Sequence, residues 1–353
     1  MDWYPLRLST PIMTHVFGGT AITDRLGRPP DESTPPRIAE TWEVSDVDGR
    51  VGEVTEGPLA GRSLRSLAED FPVELMGPGR QGARFPVLTK FIDATDPLPV
   101  HLHADDETAR RIEQEPNGKT EAWHIIDAPP GATALAGTKP DVDADTLRDA
   151  LRREDFDAVL RRLPVRPGET LYVPGGTIHS FGSDTLVYEI EQTSDIQQSA
   201  MDWHLDGSPV ARDERERALD LMVAEWEPEH RPDFHPGLSV RMADDVERVF
   251  CTAGPHFVLE RWRAAAGATA RHTFRAAVVL SNVGAPVRIA SGGWDGVLEP
   301  GRSLLLPAAL GSVDFTGPAD VLLGYKPDLE TDVRAPLAAA GYAPEAVSAL
   351  GDV

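Results

Sequence analysis

Leu98-Pro99-Val100-His101-Leu102-His103 reads as a short strand carrying two imidazoles two residues apart, and side chains at that spacing leave a strand on one face. Two further stretches supply matching donors. Gly118-Lys119-Thr120-Glu121-Ala122-Trp123 puts a carboxylate on a second strand, and Val173-Pro174-Gly175-Gly176-Thr177-Ile178-His179 brings a third imidazole after a Pro-Gly turn. Three imidazoles and one carboxylate suit zinc, manganese, iron or nickel. His101, His103, Glu121 and His179 are therefore the candidate ligands of one divalent metal. Any one of these histidines alone would pass for a surface or core residue, and the joint spacing makes the difference. His124, three positions beyond Glu121, falls on the opposite face of its strand and is left out of the set.

Working outward, the surrounding chain reads as strands joined by tight turns. Ile38 to Ser45 and Phe85 to Ala94 precede the histidine pair, the latter running directly into it; Glu121 to Asp127, Leu135 to Thr138, Thr170 to Val173 and Leu186 to Glu191 follow. Residues 63–76 read as one short helix, and Asp105 to Glu115 is polar and helix-prone. Leu147, Leu151, Phe156, Val159, Leu160 and Leu163 place two short helices, over about 140–163, as an insert on the outside of a sheet. A charged amphipathic helix spans Ser208 to Trp226, and Glu227 to Pro236 is a linker. Beyond it lie strands at Phe257–Arg263, Ala276–Val283, Val287–Ile289, Ser303–Pro307 and Val321–Tyr325, and the tail from Ala335 ends in a helix.

Arg166-Pro167-Gly168-Glu169 before Leu171-Tyr172-Val173-Pro174 is echoed by Leu298-Glu299-Pro300-Gly301-Arg302 before Leu304-Leu305-Leu306-Pro307. This is an internal repeat of turn, strand and proline. The second copy continues Ala308-Ala309-Leu310-Gly311 and has no histidine at the matching place. The expected architecture is mostly β: a metal-binding barrel over 1–207, a helix and linker over 208–236, a second, degenerate and metal-free barrel over 237–330, and a tail over 331–353. With 31 glycines and 31 prolines spread along 353 residues, short strands and turns are favoured over a helical bundle.

A formal net charge of −23 argues against nucleic acid or an anionic membrane as partner. It leaves room for a locally basic pocket. The single Cys251 excludes an intramolecular disulfide framework and fits a reducing compartment. Met1 to Thr14 lacks a basic segment followed by an apolar run, and no stretch approaches the roughly 20 apolar residues of a membrane span. The expectation is a cytoplasmic protein.

In these motifs the chain resembles the type I phosphomannose isomerases, a family of the cupin superfamily that interconverts mannose 6-phosphate and fructose 6-phosphate with zinc. The resemblance covers residues 4–206 in order and motif: Phe17-Gly18-Gly19-Thr20, the strand from Glu40 to Ser45, the Lys-x-Glu-x-Trp of 119–123, the Pro-Gly-Gly-Thr-Ile-His of 174–179, Glu189, and Ser194-Asp195. It implies a bicupin fold, two β-barrels of jelly-roll type, with one divalent metal, zinc before iron, manganese or nickel. It also implies a small sugar or sugar phosphate as substrate. His103, Glu121 and His179 match family ligands, and His101 stands where the family usually has Gln. Lys119 matches a lysine beside the substrate. Trp42 and Trp123 would be pocket walls.

Two departures touch the substrate end. Pro99 stands where the family typically has a phosphate-contacting Ser, and Ser199 where it carries an Arg. A phosphate dianion favours Arg or Lys, so the metal machinery is kept and the clamp altered. The leading expectation is a metal-dependent aldose–ketose isomerase, in which the metal polarises the C1 and C2 oxygens. Glu189, Lys119 or a metal-bound hydroxide would move the proton. The alternatives are another metal-cupin enzyme, an iron-dependent oxygenase or an epimerase, and a sugar-binding protein without turnover.

Overall fold

In the computed structural model, which describes residues 2–79 and 84–353, runs rich in β-branched, aromatic and leucine side chains form the strands, as β-propensity favours. The first half holds β1 (Ile12–Met13), β2 (Glu40–Val44), β3 (Val87–Ala94), β4 (His101–Leu102), β5 (Glu121–Asp127), β6 (Thr133–Thr138), β7 (Leu160–Pro164), β8 (Thr170–Val173), β9 (His179–Phe181), β10 (Thr185–Gln192) and β11 (Gln198–Ser199). They make two antiparallel sheets, ordered β1-β2-β3-β10-β5-β8 and β11-β4-β9-β6-β7.

The second half holds β12 (Leu238–Ala243), β13 (Val246–Ala253), β14 (Val258–Ala264), β15 (Thr269–Thr273), β16 (Val278–Asn282), β17 (Val287–Ser291), β18 (Trp294–Leu298), β19 (Ser303–Leu306), β20 (Ser312–Thr316) and β21 (Ala319–Tyr325). Their sheets run β12-β13-β14-β21-β16-β19 and β15-β20-β17-β18. The large sheets have one and the same connectivity. β8 and β19, the strands that follow the two Pro-Gly turns, both close the outer edge. The repeat in the sequence is thus a repeat of the fold.

Apolar side chains of each half meet between its two sheets: Phe17, Trp123, Leu171 and Phe181 in the first, Phe250, Trp262, Leu280 and Phe315 in the second. A third core joins the halves, with Phe91, Tyr188 and Ile190 against Phe257, Leu259 and Leu322. The two large sheets therefore pack on each other, and polar groups on this seam are paired across it. Tyr188 Oη lies 3.0 Å from Ser281 Oγ. Both faces of β3 and β10 are buried; Lys90, Glu189 and Glu191 face the first barrel's interior, and Asp93 on the other face accepts from Ala21 N.

Several boundaries differ from the sequence reading, each for a local reason. Residues 63–76 form two helices, Leu64–Asp70 and Pro72–Met76, because Pro72 lacks the N–H to continue the first and instead opens the second. The helical insert ends at Val159, and Leu160–Pro164 pairs with β6 as a strand. Phe85 to Ala94 does not run directly into the histidine pair: residues 95–100 carry the chain from the large sheet to the small one. The amphipathic helix is shorter, Arg212–Glu225. Strands β12, β13, β15, β18 and β20 were not expected in full; charged residues interrupt their exposed faces. No helix among the described residues is long and apolar enough to cross a membrane.

Candidate metal centre

β4 and β9 lie side by side with His101 directly opposite His179, so the two rings rise from adjacent backbones, 4.1 Å between centroids. β5 faces them from the large sheet and delivers Glu121. The turn after His103 is fixed by close backbone approach. A Cβ on Gly118 would lie 2.3 Å from Asp105 C, and one on Gly175 2.6 Å from Asp105 Cα. Only glycine lets the Lys119 and Pro174 segments pass this turn. Gly176 N donates to His103 O at 2.7 Å and Lys119 N to Ala104 O at 2.9 Å, which ties the three motifs into one unit.

The ligand atoms of His101, His103, Glu121 and His179 all lie within 4.8 Å of one another, and all four residues are buried. Each imidazole is oriented from behind. Nδ1 of His101 lies 2.8 Å from Pro99 O, that of His103 2.6 Å from Ile196 O, and that of His179 2.8 Å from Thr177 O. A carbonyl can only accept, so Nδ1 carries the proton and Nε2 keeps a lone pair aimed inward. Burial, with His179 and His103 beside it, holds His101 well below the ordinary histidine value, and burial and Lys119 bring His103 down to about 4. Neutral rings are the metal-ligating form.

His179 Nε2 then faces Glu121 Oε1 at 3.0 Å, and His103 Nε2 faces Glu121 Oε2 at 3.3 Å. These are acceptors facing acceptors. Accordingly Glu121 Oε1 and His179 Nε2 have no hydrogen-bond partner, although both are buried. Orphaned lone pairs converging on one point cost free energy unless a cation satisfies them. The donor set fits one divalent metal ion.

A second cluster of charge adjoins the first. Lys119 Nζ lies 2.9 Å from Glu121, 2.8 Å from Glu191, 3.6 Å from Glu189 and 3.2 Å from His103 Nε2. Lys90 Nζ reaches Glu189 and Glu191, both at 3.1 Å. Burial opposes charge on Lys119, but Glu121, Glu191 and Glu189 outweigh it and hold the ammonium well above the ordinary lysine value. Burial likewise favours a neutral Glu189, yet Lys90 and Lys119 bring its carboxyl down to about 2. Burial and the adjacent Glu189 push Glu191 well up. The two neighbouring carboxyls, which share Lys90 and Lys119, are thus driven in opposite directions.

Lys90 and Glu191 were absent from the sequence reading. The signal was present in the Glu-x-Glu spacing of 189–191, which puts both on the face where Lys119 and Glu121 meet them, and in Lys90, a charge inside an apolar strand that pairs directly with Glu189. Trp123 and Trp42 lie behind this cluster, 1 % and 2 % exposed. Trp123 Nε1 donates to Glu189 at 3.2 Å, and Lys90 Nζ sits 4.6 Å from the Trp42 ring centre. His124 points the other way, toward Arg261 of the second half.

Ser199 pairs with His101 across β11 and β4. It accepts from Met201 N at 3.3 Å. With Pro99 it lines a cavity of about 410 Å³, closed by Trp203, His204 and the helix Arg212–Glu225, which contributes Arg215 and Arg217.

No family model matches the chain. Among characterised proteins, the mannose-6-phosphate isomerase ManA of Bacillus subtilis (strain 168) is 28% identical over 325 residues, 92% of this chain and 100% of that protein. The crystal structure of the mannose 6-phosphate isomerase from Bacillus subtilis superposes with a TM-score of 0.80 at 25% identity, over 92% of this chain and 100% of that one. The chain is thus similar over most of its length to mannose-6-phosphate isomerases. A zinc-bound mannose 6-phosphate isomerase structure shares the fold at 14% identity, with a TM-score of 0.71 over 91% of this chain and 99% of that one. The similarity spans both halves of the chain, not only the one that holds the histidine cluster.

Proposed function

We propose that the protein is a zinc-dependent aldose–ketose isomerase that converts mannose 6-phosphate, or a closely related sugar phosphate, to the ketose. The observation that carries this is the convergence of four buried ligating side chains, with lone pairs of Glu121 and His179 left unpartnered, beside an ammonium and a second carboxylate, in a chain related over its length to mannose-6-phosphate isomerases. Zinc accepts this set of three imidazoles and one carboxylate, and His101 gives it a nitrogen donor where the family has an amide.

A bound divalent metal supplies Lewis acidity at the C1 and C2 oxygens of the open-chain sugar. The protein does the rest. Lys119, held protonated, donates to the oxygen on which negative charge develops, the arrangement that most lowers such a barrier. Glu189, held ionised by Lys90 and Lys119, accepts the proton from one carbon and returns it to the next. Lys90 and the Trp123 indole fix its orientation from the far side, and Glu191 holds the same two ammonium groups in place. The cavity beside Ser199 takes the phosphate end. There Arg215 and Arg217 of the neighbouring helix provide guanidinium groups in place of the arginine replaced by Ser199.

Protein stripped of metal and reconstituted separately with zinc, manganese, iron(II) and nickel is assayed for conversion of mannose 6-phosphate to fructose 6-phosphate. The expected result is turnover that disappears on chelation and returns with zinc. Stoichiometric metal binding with no conversion by any of the four would overturn the reading. Oxygen consumption by the iron form would then favour an oxygenase.

A further inference from the structure

The second barrel repeats the first residue by residue, as the strand registers show. Glu189 pairs with Lys90 on one side and Trp123 on the other; Leu323 pairs with Glu260 and Leu280. Glu121 pairs with Val173, and Val278 with Leu306, each partner standing just before the repeated proline. Glu121 therefore corresponds to Val278, and Lys90 to Glu260. Counting from the prolines brings His179 to Ser312, which pairs with Thr273 as His179 pairs with His101. His103 then falls at Arg275. All four metal-ligand positions have changed.

A cavity of about 420 Å³ borders three of these positions, Thr273, Arg275 and Val278, and is lined also by Arg248, His272 and Tyr325 and by the C-terminal segment at Thr331 and Asp332. A barrel kept only as scaffold would be filled by side chains, since interiors pack densely; this cavity instead falls in the size range of small-molecule sites, roughly 300–1,000 Å³.

Its floor is built. Arg248 donates Nε and Nη2 to Glu260 at 2.6 and 2.7 Å, and Trp262 Nε1 and Tyr325 Oη donate to the same carboxylate. Glu260 is saturated by these donors, so Arg248 is fixed by one edge while it lines the cavity. Arg275 is exposed at the position of a metal ligand in the other barrel. His272 stacks edge-on between Trp262 and Phe274, at 5.0 and 4.6 Å between centroids. Two guanidinium groups, an imidazole, hydroxyls and aromatic edges surround one cavity with a single carboxylate, Asp332, and these cationic and hydroxyl groups favour oxyanions that also carry hydroxyl groups.

We propose that the second barrel is a metal-free binding pocket for a small hydroxylated anion of the sugar phosphate or sugar acid class, gripped between Arg248 and Arg275. The site is separate from the isomerase centre and stands or falls independently of the activity proposed there.

Full-length protein, metal-loaded and metal-stripped, is titrated calorimetrically with mannose 6-phosphate, gluconate and inorganic phosphate. Two variants accompany it. Arg275→Glu reverses one guanidinium at the rim, and Ala276→Trp fills the cavity without removing a charge. Metal content of the first barrel reports that each variant is folded. The expected result is a binding event that survives metal removal, is weakened at least about tenfold by R275E, the loss of one charge-assisted contact, and is abolished by A276W. Gluconate binding without phosphate binding assigns a sugar acid; binding of phosphate and mannose 6-phosphate assigns a phosphate ester. No binding of any of the three at millimolar concentration, or binding that both variants leave unchanged, overturns the proposal. Binding in a protein that turns over no hexose phosphate would remove the isomerase reading and leave this one standing.

Discussion

Replacing Lys119 by methionine keeps the length of the side chain and removes its charge, and the structure fixes two consequences. The first is on the chemical step. Lys119 is the ammonium beside Glu121 and the imidazoles, and loss of one donor at a developing oxyanion costs roughly 10²–10³ in kcat, about 2.7–4 kcal/mol. The second is on pH. Lys119 Nζ lies 3.6 Å from Glu189 Oε1, an attraction of about 4–5 kcal/mol at an effective dielectric constant of about 20. Without it, the Glu189 carboxyl rises from about 2 toward the ordinary range of about 4 or above.

Glu189 acts in its ionised form, so in the native enzyme its acid limb lies below the working range. In K119M that limb moves up into it, and kcat/KM falls as pH drops from about 6 to 4. Stability shifts in the same sense. A depressed carboxyl contributes stability that is present above its unfolded value, near 4.3, and lost as pH falls through the folded one. In K119M the two values converge and that contribution shrinks. The assay is steady-state turnover from pH 4 to 8 on zinc-loaded protein, with circular dichroism as the folding control. Turnover within about threefold of native, against the hundredfold expected for a lost oxyanion donor, would refute the role given to Lys119. So would a kcat/KM profile whose acid limb does not move.

His101→Gln restores the family's usual residue, and a weaker oxygen or amide donor should lower zinc affinity at least about tenfold, within the range seen for lesser changes around metal sites; competition with a chromophoric chelator measures it, and unchanged affinity would remove His101 from the ligand set. Gly118→Ala forces a Cβ against the backbone of Asp105 and should cost about 1–3 kcal/mol, with metal stoichiometry falling because His103 is displaced. Glu225 is buried with both oxygens unpartnered, and burial, with Glu113 nearby, pushes it up to about 8. A raised carboxyl favours the fold below its unfolded value and loses that contribution as pH rises through the folded one. Glu225→Gln should therefore raise stability by on the order of 2–4 kcal/mol near pH 8.5 and add little near pH 4.5; equal effects at both would argue that Glu225 is ionised throughout.

The convergence of His101, His103, Glu121 and His179 was legible because strand geometry is local. His101 and His103 share a face by the two-residue repeat, and the Pro-Gly turn before His179 needs no tertiary information. The repeated proline after Val173 and Leu306 revealed the duplication for the same reason. Less local features were hidden. Lys90 and Glu191 become visible only when β3 and β10 pair, since nothing in either segment says which charge meets which. The strands β12, β15 and β18 carry arginines and acids on their exposed faces, which blurs the period-two pattern in the sequence. Ser199 could be placed beside His101 only once β11 paired with β4.

The two barrels together show how such an interior diverges. In the first, Glu40 and Lys90 stand on neighbouring strands, Lys90 two residues from Glu40's partner Ile92; Lys90 pairs with Glu189 and Glu191, and Glu40 accepts from Trp42. In the second, the same two positions hold Arg248 and Glu260, which pair with each other, so the signs are opposite and the partners differ. A buried charge without its partner is strongly destabilising, by about 3–5 kcal/mol when one member is removed. Single replacements inside either barrel are therefore penalised, and change proceeds through balanced sets. The two interiors differ by many such positions at once: Val278, Leu323 and Tyr325 stand where the first barrel has Glu121, Glu189 and Glu191, and Ala276 and Glu260 where it has Lys119 and Lys90, so that each interior keeps its buried charges partnered.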